Sequence, residues 1–236
     1  MRRSAGLVIL LAALACAGCQ QVFTTSLGAS LARQELSLPA TLTTAQAADL
    51  AAQAKANEDP KLASALVENL NARIAGTVTA DNAALAAAAA SSAVVASGAA
   101  GVVMTALDSF VQSGTAPTGA DLAALVTSIQ AGATASVLTA ISYLDTTGGI
   151  ADPSSVSATV SATDYAIAAV VLAASALPAG VTDPTTMTAD QLTAFQATPE
   201  VESASRIIAA AATIASADAK SLLDQFASMI QLPTGP

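Results

Sequence analysis

Histidine and tryptophan are absent from this 236-residue chain, and cysteine occurs only twice, at Cys16 and Cys19. Without histidine, and without a thiol beyond residue 19, the usual zinc ligands, the commonest general base and the Cys-His and Ser-His-Asp nucleophile systems cannot be assembled. Carboxylates, lysine and hydroxyls are what remain for chemistry. Positive charge is also scarce: 8 Lys+Arg stand against 17 Asp+Glu, a net charge of −9. Such a surface repels nucleic acid and anionic headgroups, so nucleic-acid binding is excluded. The stretch GTAPTGAD, Gly114 to Asp121, spaces its first two glycines like a phosphate loop but has Ala120 and Asp121 where Lys and Ser/Thr are required. Neither G-x-G-x-x-G nor G-x-S-x-G occurs, and no catalytic residue, cofactor site or metal ligand is assigned.

What the sequence does have begins at its head. Arg2 and Arg3 precede an apolar run from Leu7 to Ala15, followed by small residues and Cys19. This is the order of a secretory signal, and the run is far below the roughly 20 residues a membrane-spanning helix needs. Ala17 and Gly18 before Cys19 resemble the lipobox of bacterial lipoproteins, in which the cysteine thiol receives a diacylglycerol and becomes the new N-terminus. One departure is Cys16, which stands where that family usually places Leu, Val or Ile. The resemblance implies a signal peptide over 1–18, a lipidated Cys19 with a short tether over 19–30, and a single domain over 31–236. Cys16 would leave with the signal. The alternatives are an uncleaved signal anchor, or ordinary secretion with cleavage after Ala13-Leu14-Ala15.

About a quarter of the chain is alanine, well above ordinary usage, while aromatics make up 3%. Alanine has the highest helix propensity and lets helix axes approach closely, but it buries little apolar area per residue. Many helices must therefore pack together. Their starts are marked by Asp59-Pro60, Thr79-Ala80-Asp81, Thr118 to Asp121, Thr188-Ala189-Asp190, Thr198-Pro199 and Ser216-Ala217-Asp218. Stops follow at Gly76, Gly114, Gly132, Gly148 and Pro178. Apolar spacing then predicts helices over 44–57, 59–75, 80–97, 101–113, 119–131, 134–145, 162–177, 188–197, 199–217 and 218–231. The Ser/Thr/Val-rich stretch from Ala151 toward Asp164 reads as loop. The fold expected is an all-α, irregular bundle of about ten helices.

A stacked array of helical hairpins, an α-solenoid, is the alternative, because ADLAA occurs at both Ala48–Ala52 and Ala120–Ala124 and Ala-Asp helix starts recur. The Trp, Gly, Tyr and Pro positions that define known two-helix repeats are missing. From Asn82 to Leu107 no residue is charged. Its length suits a membrane span, yet its serines, glycines and flanking Asp81 and Asp108 argue for a buried helical hairpin broken near Gly98 and Gly101. Phe110, Tyr143, Tyr165, Phe195 and Phe226 read as the few large core fillers.

The mature opening CQQVFTTSLGASLAR, Cys19 to Arg33, followed by Ala-rich helices, the DPKL start at Asp59–Leu62 and the Ala-Ser-Gly break at Ala96–Gly98, looks like uncharacterised lipoproteins of spirochaetes. That resemblance implies an all-helical envelope protein and carries over no catalytic or binding residue. The function expected is a non-enzymatic envelope lipoprotein, held to a membrane by the lipid on Cys19 on the outer-membrane or periplasmic side, that braces or binds an unknown envelope protein. A carrier of a small apolar ligand or lipid is the alternative. A carboxylate hydrolase is the third reading, with Glu58-Asp59 or Glu200/Glu202 as the acid pairs.

Overall fold

The computed structural model describes residues 38–74, 79–105, 118–147, 149–151 and 159–216, together with residues 220, 224, 227, 228 and 232. The chain divides into a unit over Met1–Ser37 and a compact unit over Leu38–Pro236. The expected signal, Cys19, the tether, the spirochaete-like opening and the domain start at residue 31 lie outside the described residues. So do Gly76, Phe110, Gly114, Gly148 and Phe226.

Side-chain caps set the helix starts where the sequence places them. Thr43 opens α1 (Thr44–Ala56) with a capping box to Gln46, and Asp59 accepts from the amides of Lys61 and Leu62 ahead of α2 (Pro60–Asn71). Thr79 caps α3 (Ala80–Ala96), and α4 (Ala99–Thr105) follows after two residues. Capping boxes at Thr118, Ser161 and Thr188 open α5 (Gly119–Gly132), α7 (Ala162–Ser175) and α8 (Ala189–Gln196). Thr134 caps α6 (Ala135–Thr146), and Thr198 ahead of Pro199 caps α9 (Pro199–Ile214). Beyond α9, the Lys220 amide donates to the Ser216 carbonyl at 2.8 Å, and residues 224, 227 and 228 are helical.

The bundle is built round two helices. α3 packs against α1, α2, α6 and α7, while α7 also receives α5, α6 and α9. Both are apolar on every side, as a helix enclosed by neighbours must be. Every residue from Leu85 to Val94 and from Asp164 to Ala174 is buried. α2, at the periphery, keeps a one-sided stripe: Leu62, Ala63, Leu66, Val67 and Leu70 are buried, while Lys61 and Glu68 are exposed.

This connectivity is a bundle and not a solenoid, because in a solenoid each unit touches only its neighbours along the chain. The ADLAA echo has no structural counterpart: its first copy lies in the middle of α1 and its second opens α5. The charge-free stretch also departs from a hairpin. α3 and α4 meet at an elbow of 67°, with Gly98 at φ +67 in the left-handed region. Only the first arm is central; on α4, Gly101, Met104 and Thr105 face solvent. Among the described residues no single helix is long and apolar enough to cross a membrane, although α3 with α4 and α5 with α6 pass that test as bent pairs.

Close packing of α3 has a measurable consequence. Ala88 and Ala89 are fully buried, so Ala88→Leu should force helices apart and cost about 1–3 kcal/mol in urea unfolding. Lys61→Ala, on an exposed position, should stay within about 0.5 kcal/mol. Equal effects of the two would show that α3 does not set the spacing of the bundle.

Candidate functional site

Few polar side chains enter the interior, and among the described residues Asp164 is the one buried side chain that carries a charge. Asp164, in the first turn of α7, accepts from the Ser161 amide at 2.9 Å and hydroxyl at 2.8 Å through Oδ2. Lys55, at the end of α1, donates to Oδ1 at 2.9 Å and Oδ2 at 2.7 Å of the same carboxylate. The carboxylate is only 5% exposed and the lysine 46%. One acid therefore closes a capping box and joins two helices.

A second tie joins α9 to α6. Arg206 donates from Nε at 2.9 Å and from Nη2 at 2.6 Å to the two oxygens of Asp145. This two-pronged hydrogen bond with Asp145, helped by the charges of Asp145 and Glu202, raises the guanidinium's pKa further. The Thr118 hydroxyl and amide hold the exposed Asp121 carboxyl below its ordinary range.

Tyr165 is fully buried in α7, and its hydroxyl donates to the Gly149 carbonyl at 3.0 Å. Burial pushes the phenol up to about 12 from 10.0. The unfolded chain loses this proton above pH 10 while the folded protein keeps it. Stability from this group is thus complete below pH 10 and is lost as pH rises through 12, a change of about 2–3 kcal/mol. Urea unfolding between pH 9 and 12 should show this alkaline loss, and Tyr165→Phe should flatten it. A wild-type profile as flat as that of the phenylalanine variant would contradict the assignment.

The acid pairs considered from sequence do not face each other across a cleft. Asp59 is the cap of α2, and its neighbour Glu58 is exposed in the tight α1–α2 turn at φ +48. Glu200 and Glu202 occupy the first turn of α9, favourable to its dipole, with Glu202 3.8 Å from Arg206. Among the described residues no group of three or more Cys, Asp or Glu side chains is placed to hold a metal ion. Phe195 is buried as expected of a core filler, and Tyr143 is half-buried.

An apolar slot opens between α5 and α7, lined by Leu125, Val126, Ile129, Val170 and Phe195. Its volume is about 10 Å³, room for one water at most, against the roughly 300–1,000 Å³ of ligand pockets. No sequence signal pointed to the Lys55–Asp164 or Arg206–Asp145 ties, because the partners lie 109 and 61 residues apart. Lipidation at Cys19 belongs to residues outside those described.

No known protein family, curated protein or solved structure matches this chain.

Proposed function

We propose that this protein is an envelope lipoprotein, anchored through lipid on Cys19, whose helical domain braces or binds a protein partner without catalysing a reaction. The observation that carries the reading is the order of the first nineteen residues: a basic head, an apolar run too short to span a bilayer, and Ala17-Gly18 directly before Cys19. Two or more acyl chains on one cysteine anchor a protein durably, since each buried CH₂ contributes about 0.8 kcal/mol. Support for a non-catalytic domain comes from how four of its described acids are used: Asp59 and Asp121 cap helices, Asp145 ties two helices, and Asp164 does both. The slot beside Phe195 gives no room for an apolar cargo.

Cys19→Ala should release the protein from the membrane fraction or leave it as an uncleaved precursor, read by fractionation and by metabolic labelling with a fatty acid. Label that persists in Cys19→Ala and vanishes in Cys16→Ala would overturn the reading.

A further inference from the structure

The chain joins the bundle through the segment Leu38–Thr43, and that segment is fastened along the C-terminal end of α2. Asn69 Nδ2 donates to the Pro39 carbonyl at 3.0 Å, and the Arg73 guanidinium donates to the Leu42 carbonyl. Asn69 lies in the last turn of α2 and Arg73 just past its end, and their acceptors are three residues apart, so the segment runs beside the end of the helix with two points of attachment. At the second point an apolar pin is set: the Leu42 side chain is buried and belongs to the main core. Leu38 packs on a separate small cluster of Ala54, Leu62 and Ala63. Asn71 makes the same kind of contact to another element, donating to the Ser136 carbonyl of α6 at 2.8 Å. Among the described residues, Asn69 and Asn71 each leave a buried amide oxygen without a partner, an unfavourable arrangement in itself. Their return is the grip of the amide nitrogen on another segment's backbone.

We propose that Leu38–Leu42 is a strap that transmits tension from the N-terminal tether into α2, and so keeps α1 from being peeled off the bundle. α1 begins at Thr44, directly after the strap, and its buried residues are three alanines, Ala47, Ala51 and Ala54. Small side chains bury little area, so a pull delivered straight to Thr43 would meet weak resistance along the helix until it reached Lys55 and its tie to Asp164 at the far end. With the strap fastened, the pull first loads Asn69, Arg73 and the buried Leu42. The role of the strap rests on the lipid-anchor reading, since an anchored domain bound to a partner is one that is pulled.

Optical tweezers test it on the chain from Cys19 onward, where Cys19 is the sole thiol and takes one handle, with the other at the C-terminus. Asn69→Ala combined with Arg73→Ala should add an early step, with about 3.5 Å of extension per residue released from 38–56, at about half the force of the first event in the parent chain or less. Circular dichroism confirms that the variant is folded; if it is not, Asn69→Ala alone is judged by the same criterion. A parent chain that already releases 38–56 at the variant's force overturns the strap. Because the handle replaces the lipid, this result stands apart from fractionation of Cys19→Ala: a failed strap leaves the anchor intact, and a failed anchor leaves the strap measurement valid.

Discussion

Lys55→Met is expected to lower the unfolding free energy by about 3 kcal/mol, far more than the 0–1 kcal/mol of an ordinary surface ion pair. The reason is an asymmetry of exposure: the lysine is 46% exposed, but the carboxylate it serves is 5% exposed. Removing the ammonium leaves Oδ1 of Asp164 as a buried anionic oxygen without its Lys55 bond, while Oδ2 keeps the Ser161 amide and hydroxyl. Asp164→Asn retains an acceptor for the cap but no charge, so a double-mutant cycle of the two isolates the ion pair. A coupling energy of about 2 kcal/mol by urea unfolding is expected. A Lys55→Met effect within about 0.5 kcal/mol would mean that water reaches the carboxylate and that α1 is held by its packing on α2 and α3 alone.

Gly132→Ala should cost about 3 kcal/mol, although alanine is ordinarily the better helix former by about 1 kcal/mol. A Cβ at Gly132 would lie 1.9 Å from the carbonyl oxygen and 2.7 Å from the carbonyl carbon of Ser97. Both are backbone atoms at the α3–α4 elbow, which cannot rotate aside as a side chain can. The last turn of α5 would have to move off the elbow, straining the hydrogen bond from Gln130 Nε2 to the Ala174 carbonyl at 2.8 Å. Ala131→Gly, at the exposed preceding position, should cost only the propensity difference of about 1 kcal/mol. Thermal and urea unfolding of the two variants decide the matter: a Gly132→Ala protein at least as stable as the parent would show that α5 does not seat against the elbow.

Glycine 132 also marks the boundary between what is local and what is not. The sequence reading takes it as a stop signal, and α5 does end there. Its tighter requirement comes from Ser97, 35 positions away along the chain, and no property of either residue's neighbours encodes that approach. The same holds for the elbow. A break near Gly98 follows from glycine's freedom at positive φ, whereas its 67° angle, and the choice of α3 rather than α4 as the buried arm, depend on what surrounds them.

By itself the sequence determined an all-α fold, the helix starts at Thr79, Thr118, Thr188 and Thr198, and the range of chemistry open to a chain without histidine. Caps and propensities act within a turn or two of helix, so their signals lie within a few consecutive residues. Only the tertiary structure decided that α3 and α7 are the enclosed helices, that Lys55 meets Asp164 and Arg206 meets Asp145, and that Asn69 and Arg73 fasten the incoming strand of chain. Ala-rich helices are nearly alike on every face, so apolar pattern distinguishes their partners poorly; the choice falls to a few charged and amide side chains whose counterparts are remote in the chain.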